Sequence, residues 1–156
     1  RHAGLKALAS LRLEKGYRDY GHDMDNTDDP FEVGLGFTIK LEKSAGFIGK
    51  AACVQKKAQG HPTRRLALVL VKDPVPLLFH AEVVSRNGKA VGYVRSGSYG
   101  YTLGGAVGLF MIEADEAIDQ AYIDAGEWEI DIAGKVYPAI VSLSPLYDPG
   151  MERIRS

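Results

Sequence analysis

The sequence has a single cysteine, Cys53, so no internal disulfide can form, and without a Cys-x-x-Cys pair or a Cys/His cluster it offers no structural zinc site. A reducing compartment is the expectation. Neither sign of charge is in excess: 19 Lys+Arg stand against 20 Asp+Glu, for a formal net charge of -1 at pH 7. Without a basic surplus to displace counterions from phosphates, bulk nucleic-acid binding is disfavoured and only local basic pockets are left. No apolar run approaches the ~20 residues that a membrane span needs. Low-complexity segments and internal repeats are also missing. What remains, 46% hydrophobic and 25% charged, is the composition of folded globular sequence. The chain opens on Arg1 instead of Met and enters a helical pattern at once, and we expect that it begins inside something larger.

Residues 3–15 are rich in Ala, Leu, Lys and Glu, with Leu5, Leu8 and Leu11 at helical spacing and Gly16 as a C-terminal stop, which predicts a helix. Residues 17–29 are dense in Asp, Tyr and Gly, lack an apolar period and end at Pro30, the pattern of an ordered loop of the kind that often carries function. Val33, Leu35, Phe37, Ile39 and Leu41 alternate and predict a strand over 31–41; residues 47–59 predict a short helix stopped by Gly60-His61-Pro62.

Beyond Arg64 the texture changes. Apolar, β-branched runs at 66–71, 82–85, 90–95, 107–112, 127–132 and 136–143 read as strands. Asn87-Gly88 and Ala133-Gly134 sit where tight hairpin turns would join them. The expected fold class is α+β: a partial α/β piece over 1–60, then a small antiparallel barrel or sandwich over 61–156, of which only the second has the length to bury its own core.

The chemistry-bearing residues divide into patterns that fail and one that holds. Asp23, Asp25 and Asp28 evoke a calcium loop, but an EF-hand counted from Asp23 would need glycine and glutamate where Asp28 and Gly34 stand, so self-capping by Asx turns is the better reading. Gly97, Gly100, Gly104, Gly105 and Gly108 match no phosphate-binding motif and suit barrel corners. His22, His61 and His80 have no Cys partner, and no serine lies in a G-x-S-x-G context, so triad chemistry has no support. Cys53 reads as a small core residue and Trp128 as packing. Arg12 at the helix end could form an ordinary surface pair, but its place between Leu11 and Leu13 favours partial burial, and a buried guanidinium needs an anionic or planar partner.

Three strings then agree with one pattern: Leu11-Arg12-Leu13-Glu14-Lys15-Gly16-Tyr17-Arg18-Asp19-Tyr20-Gly21-His22-Asp23-Met24-Asp25, the stretch 29–37, and Phe47-Ile48-Gly49-Lys50. They are followed in order by the Asn-Gly hairpin, Val91-Gly92-Tyr93-Val94, Ser96-Gly97 and Tyr101-Thr102-Leu103-Gly104. The chain resembles, over nearly its whole length, the aminomethyltransferase family typified by the glycine cleavage T-protein. The Tyr17–Tyr20 variant and the ending from Pro145 to Arg155 look most like the folate-binding tail of FAD-dependent dimethylglycine and sarcosine dehydrogenases.

The resemblance implies that residues 1–60 are the end of a folate-binding domain and 61–156 a Greek-key-like terminal barrel. It implies tetrahydrofolate as cofactor, taking up a one-carbon unit, with FAD bound outside this segment. It places folate contacts on Arg12, on Tyr20 and on a terminal arginine, Arg153 or its neighbour Arg155. A guanidinium can meet a glutamyl carboxylate or lie on a ring, and a tyrosine can pack on pterin or aminobenzoate. The resemblance implies no catalytic residue here, because the family's carboxylate lies in a part that would precede Arg1; Asp23 and Asp25 belong to a motif that shapes the loop. The implied partners are folate and the rest of the parent chain, with no nucleic acid, membrane or metal, in a bacterial cytoplasm or a mitochondrial matrix. A stand-alone glycine cleavage aminomethyltransferase and a non-catalytic regulatory module of the same family are the alternatives. On any of these readings, residues 1–59 should lean on the barrel or expose apolar surface.

Overall fold

The apolar runs of the second part form β1 (Arg64–Val71), β2 (Val83–Arg86), β3 (Lys89–Gly100), β4 (Gly105–Glu113), β5 (Trp128–Ile132) and β6 (Lys135–Ser142). In the computed structural model, which describes residues 3–156, these six strands close into an antiparallel barrel in the order β1-β4-β3-β2-β5-β6. Arg1 and His2 lie outside the described residues. Strands β2, β3 and β4 follow one another as hairpins and β1 lies beside β4, which is a Greek key. Both expected tight turns are present: Asn87 and Gly88 have φ of 53° and 75°, and Ala133 and Gly134 have 53° and 81°, the left-handed pairs that match strand twist.

Among the described residues there are also four α-helices: α1 (Leu5–Glu14), α2 (Lys50–Ala58), α3 (Gln120–Asp124) and α4 (Glu152–Arg155). β1 and β4 read as continuous apolar runs because both of their faces are buried. Ala67, Val69 and Val71 point into the barrel with Phe110, Ile112 and Ile130. Leu66 and Leu68 point outward, with Val107, Leu109 and Met111, into a second core closed by Leu13 and Val33 from the first segment. That segment therefore leans on the outer wall of the barrel.

Two expectations change. No strand forms over 31–41: the backbone turns and a 3-10 helix spans Gly36–Thr38. The alternation there is interrupted by Gly34 and Gly36, and Asp29 Oδ1 accepts from the amides of Phe31 at 2.8 Å and Glu32 at 2.9 Å, a local turn that outcompetes a ladder with no neighbour strand. Cys53 is half-buried on α2, a helix with no buried residue, and is not a core residue. The first segment also exposes apolar surface, as expected of residues 1–59: Leu5, Leu8 and Leu11 of α1 are 84%, 60% and 60% exposed, and Phe37 and Ile48 are exposed as well.

The glycines of β3 and β4 admit a close approach. Gly97 and Gly108 stand opposite each other, and the buried Leu78 of the 72–82 loop enters the space. A β-carbon at Gly97 would lie 2.5 Å from the Leu78 carbonyl carbon. Gly97→Ala should accordingly destabilise the fold by about 1–3 kcal/mol, as overpacking does, read as a lowered urea midpoint; an unchanged midpoint would contradict the contact.

Candidate functional site

The site is built around the C-terminal end of α1. On a helix, positions i, i+3 and i+4 share a face, and Ser10, Leu13 and Glu14 are the buried set. Ser10 Oγ donates to the Tyr99 carbonyl at 2.6 Å. The buried Glu14 carboxylate accepts from the amides of Thr102 at 2.7 Å and Leu103 at 3.0 Å and from Thr102 Oγ1 at 3.0 Å, so it caps the β3–β4 turn. The helix ends in a Schellman motif. Gly16, at φ 64°, donates to the Leu13 carbonyl and Tyr17 donates to that of Arg12.

Arg12 points away from the Glu14 face. Its Nη1 donates to Asp23 Oδ2 at 2.5 Å and to the Tyr17 carbonyl at 3.1 Å, so the anionic partner expected for a half-buried guanidinium lies within the chain. Asp23 is fully buried and also accepts the Asp19 amide at 2.7 Å. Tyr20 and Met24 form a backbone bridge beside Asp23. The carboxylate thus fills the inside of a tight loop while Tyr20, 67% exposed, stands on its outside with Tyr17 nearby.

The loop continues into a second charged cluster. Asp28 receives Arg95 Nη1 at 2.6 Å and Nη2 at 3.3 Å, Arg64 Nη2 at 3.1 Å and the Asp25 amide at 3.1 Å. Arg95 also donates to the Asp23 carbonyl at 2.9 Å, and Arg64 reaches Glu32 at 3.2 Å and Glu113 at 3.4 Å. Asp25 closes an Asx turn with the Thr27 amide at 2.8 Å. Burial works against the Asp28 charge, but the bonds from Arg95 and the Asp25 amide, with the charges of Arg95 and Arg64, outweigh it and hold its carboxyl below the usual range.

The C-terminal tail returns to the same helix end. Lys15 Nζ donates to the Asp148 carbonyl at 2.7 Å and pairs with its Oδ2 at 3.1 Å, and the Tyr147 amide donates to the Glu14 carbonyl at 3.3 Å. Arg153 follows on α4, exposed, and among the described residues no hydrogen bond links its side chain to Arg12 or Tyr20. The structure therefore gathers Arg12 and Tyr20 on one loop and brings the stem of the Arg153 tail to the next turn of α1. Sequence reasoning missed Glu14, Arg64 and Arg95. Arg12 and Glu14, two positions apart on a helix, must face different ways, and that was a signal that each has its own partner.

Fold and site together define a class: a small Greek-key barrel whose outer wall carries a charged, tyrosine-edged loop site. The model of the glycine cleavage T-protein C-terminal barrel domain matches residues 64–148, and that of the GCVT N-terminal domain matches residues 1–43. The chain belongs to the glycine cleavage T-protein family. It is 45% identical over 153 residues to 4-methylaminobutanoate oxidase (formaldehyde-forming) of Paenarthrobacter nicotinovorans, covering 98% of this chain and 18% of that protein. It is 35% identical over 156 residues to mouse mitochondrial sarcosine dehydrogenase, covering 99% of this chain and 17% of that one. The chain thus spans less than a fifth of these curated relatives. Among solved structures, aminomethyltransferase T of the glycine cleavage system from Bartonella henselae superposes with a TM-score of 0.77 at 24% identity, over 94% of this chain and 40% of that one, and has the same fold.

The lowered Asp28 pKa fixes the sign of an acid dependence. Its stabilisation is fully present above about pH 3.9, the ordinary Asp value, and is lost as pH falls through the lower folded-state value. Urea unfolding of Asp28→Asn should give a less stable protein at pH 7 whose stability changes less across that acid range than that of the wild type; parallel curves would contradict the pairing.

Proposed function

We propose that this chain is the tetrahydrofolate-binding end of a one-carbon-transferring enzyme of the dimethylglycine and sarcosine dehydrogenase kind. The observation that carries the reading is the pairing of a half-buried Arg12, held in place by Asp23, with an exposed Tyr20 on the same loop. Family membership and the similarity to an oxidase and a sarcosine dehydrogenase support it. Residues 1–60 are then the end of a folate-binding domain and 61–156 its terminal barrel.

The residues present suit the cofactor. Arg12 Nη1 is engaged by Asp23, and the remaining edge and the flat face of the guanidinium are the parts suited to a glutamyl carboxylate or a ring. Tyr20 and Tyr17 offer exposed aromatic faces for pterin or aminobenzoate. When bound, tetrahydrofolate supplies nitrogen atoms that accept a one-carbon unit. This chain's own part is to bind and orient it: Asp23 is sealed against Arg12 and Asp28 against Arg64 and Arg95, so neither carboxylate is available to move a proton in an open site. FAD and the amine substrate belong to other parts of the protein. The exposed leucines of α1, with Phe37 and Ile48, are the surface that the rest of the parent chain would cover. A bacterial cytoplasm or mitochondrial matrix suits this reading; no helix among the described residues is long and apolar enough to cross a membrane.

The test is calorimetric titration of the protein carrying this chain with tetrahydrofolate. Tyr20→Ala, on an exposed side chain, should weaken binding roughly tenfold with an unchanged melting temperature. Arg12→Lys keeps a positive partner for Asp23 but loses the planar fork, and should weaken binding about tenfold to a hundredfold. Wild-type affinity in both variants would remove the assignment.

A further inference from the structure

The tail that follows β6 is fastened to the C-terminal end of α1 by contacts that the reading of Arg12 and Tyr20 leaves unused. Pro145 lies against Gly16, where a β-carbon would stand 3.6 Å from the Pro145 Cγ, and Leu146 packs on the outer core. The Tyr147 amide donates to the Glu14 carbonyl at 3.3 Å. Lys15 then meets Asp148. Its Nζ donates to the Asp148 carbonyl at 2.7 Å, pairs with Oδ2 at 3.1 Å and lies 5.8 Å from the centre of the Tyr147 ring.

The Lys15 and Asp148 side chains are only 10% and 9% exposed, so neither can lose the other without leaving a charge out of water. The Asp148 carboxylate divides between two tasks. Oδ2 holds Lys15, and Oδ1 accepts the amide of Glu152, the first residue of α4, at 2.9 Å. The Met151 amide donates to the Asp148 carbonyl at 3.0 Å. Between these bonds Asp148 and Met151 take left-handed φ of 46° and 56°, a conformation that a non-glycine residue keeps only where its surroundings hold it. α4 has 4 residues, too few to persist on helix propensity alone, so its place is set from Asp148. It carries Arg153 and Arg155, and among the described residues neither makes an ion pair.

The fastening falls beside the candidate site. Lys15 and Gly16, which hold the tail, are followed directly by Tyr17, whose carbonyl accepts Arg12 Nη1 at 3.1 Å. We propose that Asp148 is a positioning residue for that site: through Lys15 it lays the tail across the end of α1, and through the Glu152 amide it aims α4 so that Arg153 meets the anionic glutamyl end of the ligand. A guanidinium without a partner of its own suits a ligand that ends in carboxylates. The role rests on the folate reading. It concerns the glutamyl end alone, since the bonds of the Asp148 carboxylate go to Lys15 and Glu152 and not to Arg12 or Tyr20.

The experiment is calorimetric titration of the protein carrying this chain with tetrahydrofolate and with tetrahydropteroate, which lacks the glutamate. Asp148→Asn keeps the size of the side chain but releases Lys15; it should weaken tetrahydrofolate binding roughly tenfold and leave tetrahydropteroate binding unchanged. Asp148→Asn combined with Arg153→Gln should bind tetrahydrofolate no more weakly than Arg153→Gln alone, because Asp148 acts through Arg153. Equal weakening of both ligands, additive losses in the double variant, or unchanged tetrahydrofolate affinity would each overturn the proposal. Should Asp148→Asn fail to fold, amide exchange in the unaltered protein reads the same device. The Glu152 amide should exchange more slowly in the tetrahydrofolate complex than in the tetrahydropteroate complex, and equal rates would overturn the proposal. A wild type that binds neither ligand would refute the folate reading itself, whereas one that binds tetrahydrofolate with Asp148→Asn making no difference would refute the role of Asp148 alone.

Discussion

Two buried carboxylates determine how the first part of this chain is shaped. Asp23 and Asp28 are out of water, and an ionised carboxylate in that position costs several kcal/mol unless it is paired and hydrogen-bonded. Their partners come from separate elements: Arg12 from α1, Arg64 from β1 and Arg95 from β3. The loop between α1 and the barrel has few apolar side chains of its own, with Met24, Val33 and Leu35 as its contribution to the outer core. It holds one conformation because any other would separate these charges. Removing one partner would leave the other buried and uncompensated, so the network acts as a specification of shape more than as a source of net stability.

The barrel provides the platform. β1 and β4 are buried on both faces, their inner residues filling the barrel and their outer ones forming the floor on which Leu13 and Val33 rest. Glu14 fastens α1 to the β3–β4 turn and Lys15 fastens the returning tail to α1, so three separated stretches meet at one helix end. Tyr20 and the open edge of Arg12 are displayed there. The site is made of loops, but what positions it is a rigid wall.

Much of this was legible because much of it is local. Asn87-Gly88 and Ala133-Gly134 announce their hairpins through backbone requirements, and α1 is announced by its composition and by Gly16. The alternation from Val33 to Leu41 misled, because periodicity says nothing about whether a neighbouring strand exists to complete the ladder, and Asp29 had already turned the backbone. The α1 leucines were legible as a helical stripe, and exposed apolar surface was one of the two outcomes expected of residues 1–59. The charge pairs were out of reach for a different reason: Arg64 and Arg95 meet Asp28 across 36 and 67 residues of sequence, and nothing local distinguishes these arginines from solvated ones. Arg12 and Tyr20 could be singled out from the motif, whereas the internal partner of Arg12 required the fold.

If the charge network makes loop and barrel one cooperative unit, amide hydrogen exchange reports it directly, because the Asp19 amide donates to Asp23 and the Thr102 amide to Glu14. Under native conditions these two amides should exchange only through the same global opening as the central amides of β1 and β4, with equal opening free energies. Fast, local exchange of Asp19 while β1 and β4 stay protected would show that the loop is held by something weaker than its buried carboxylates.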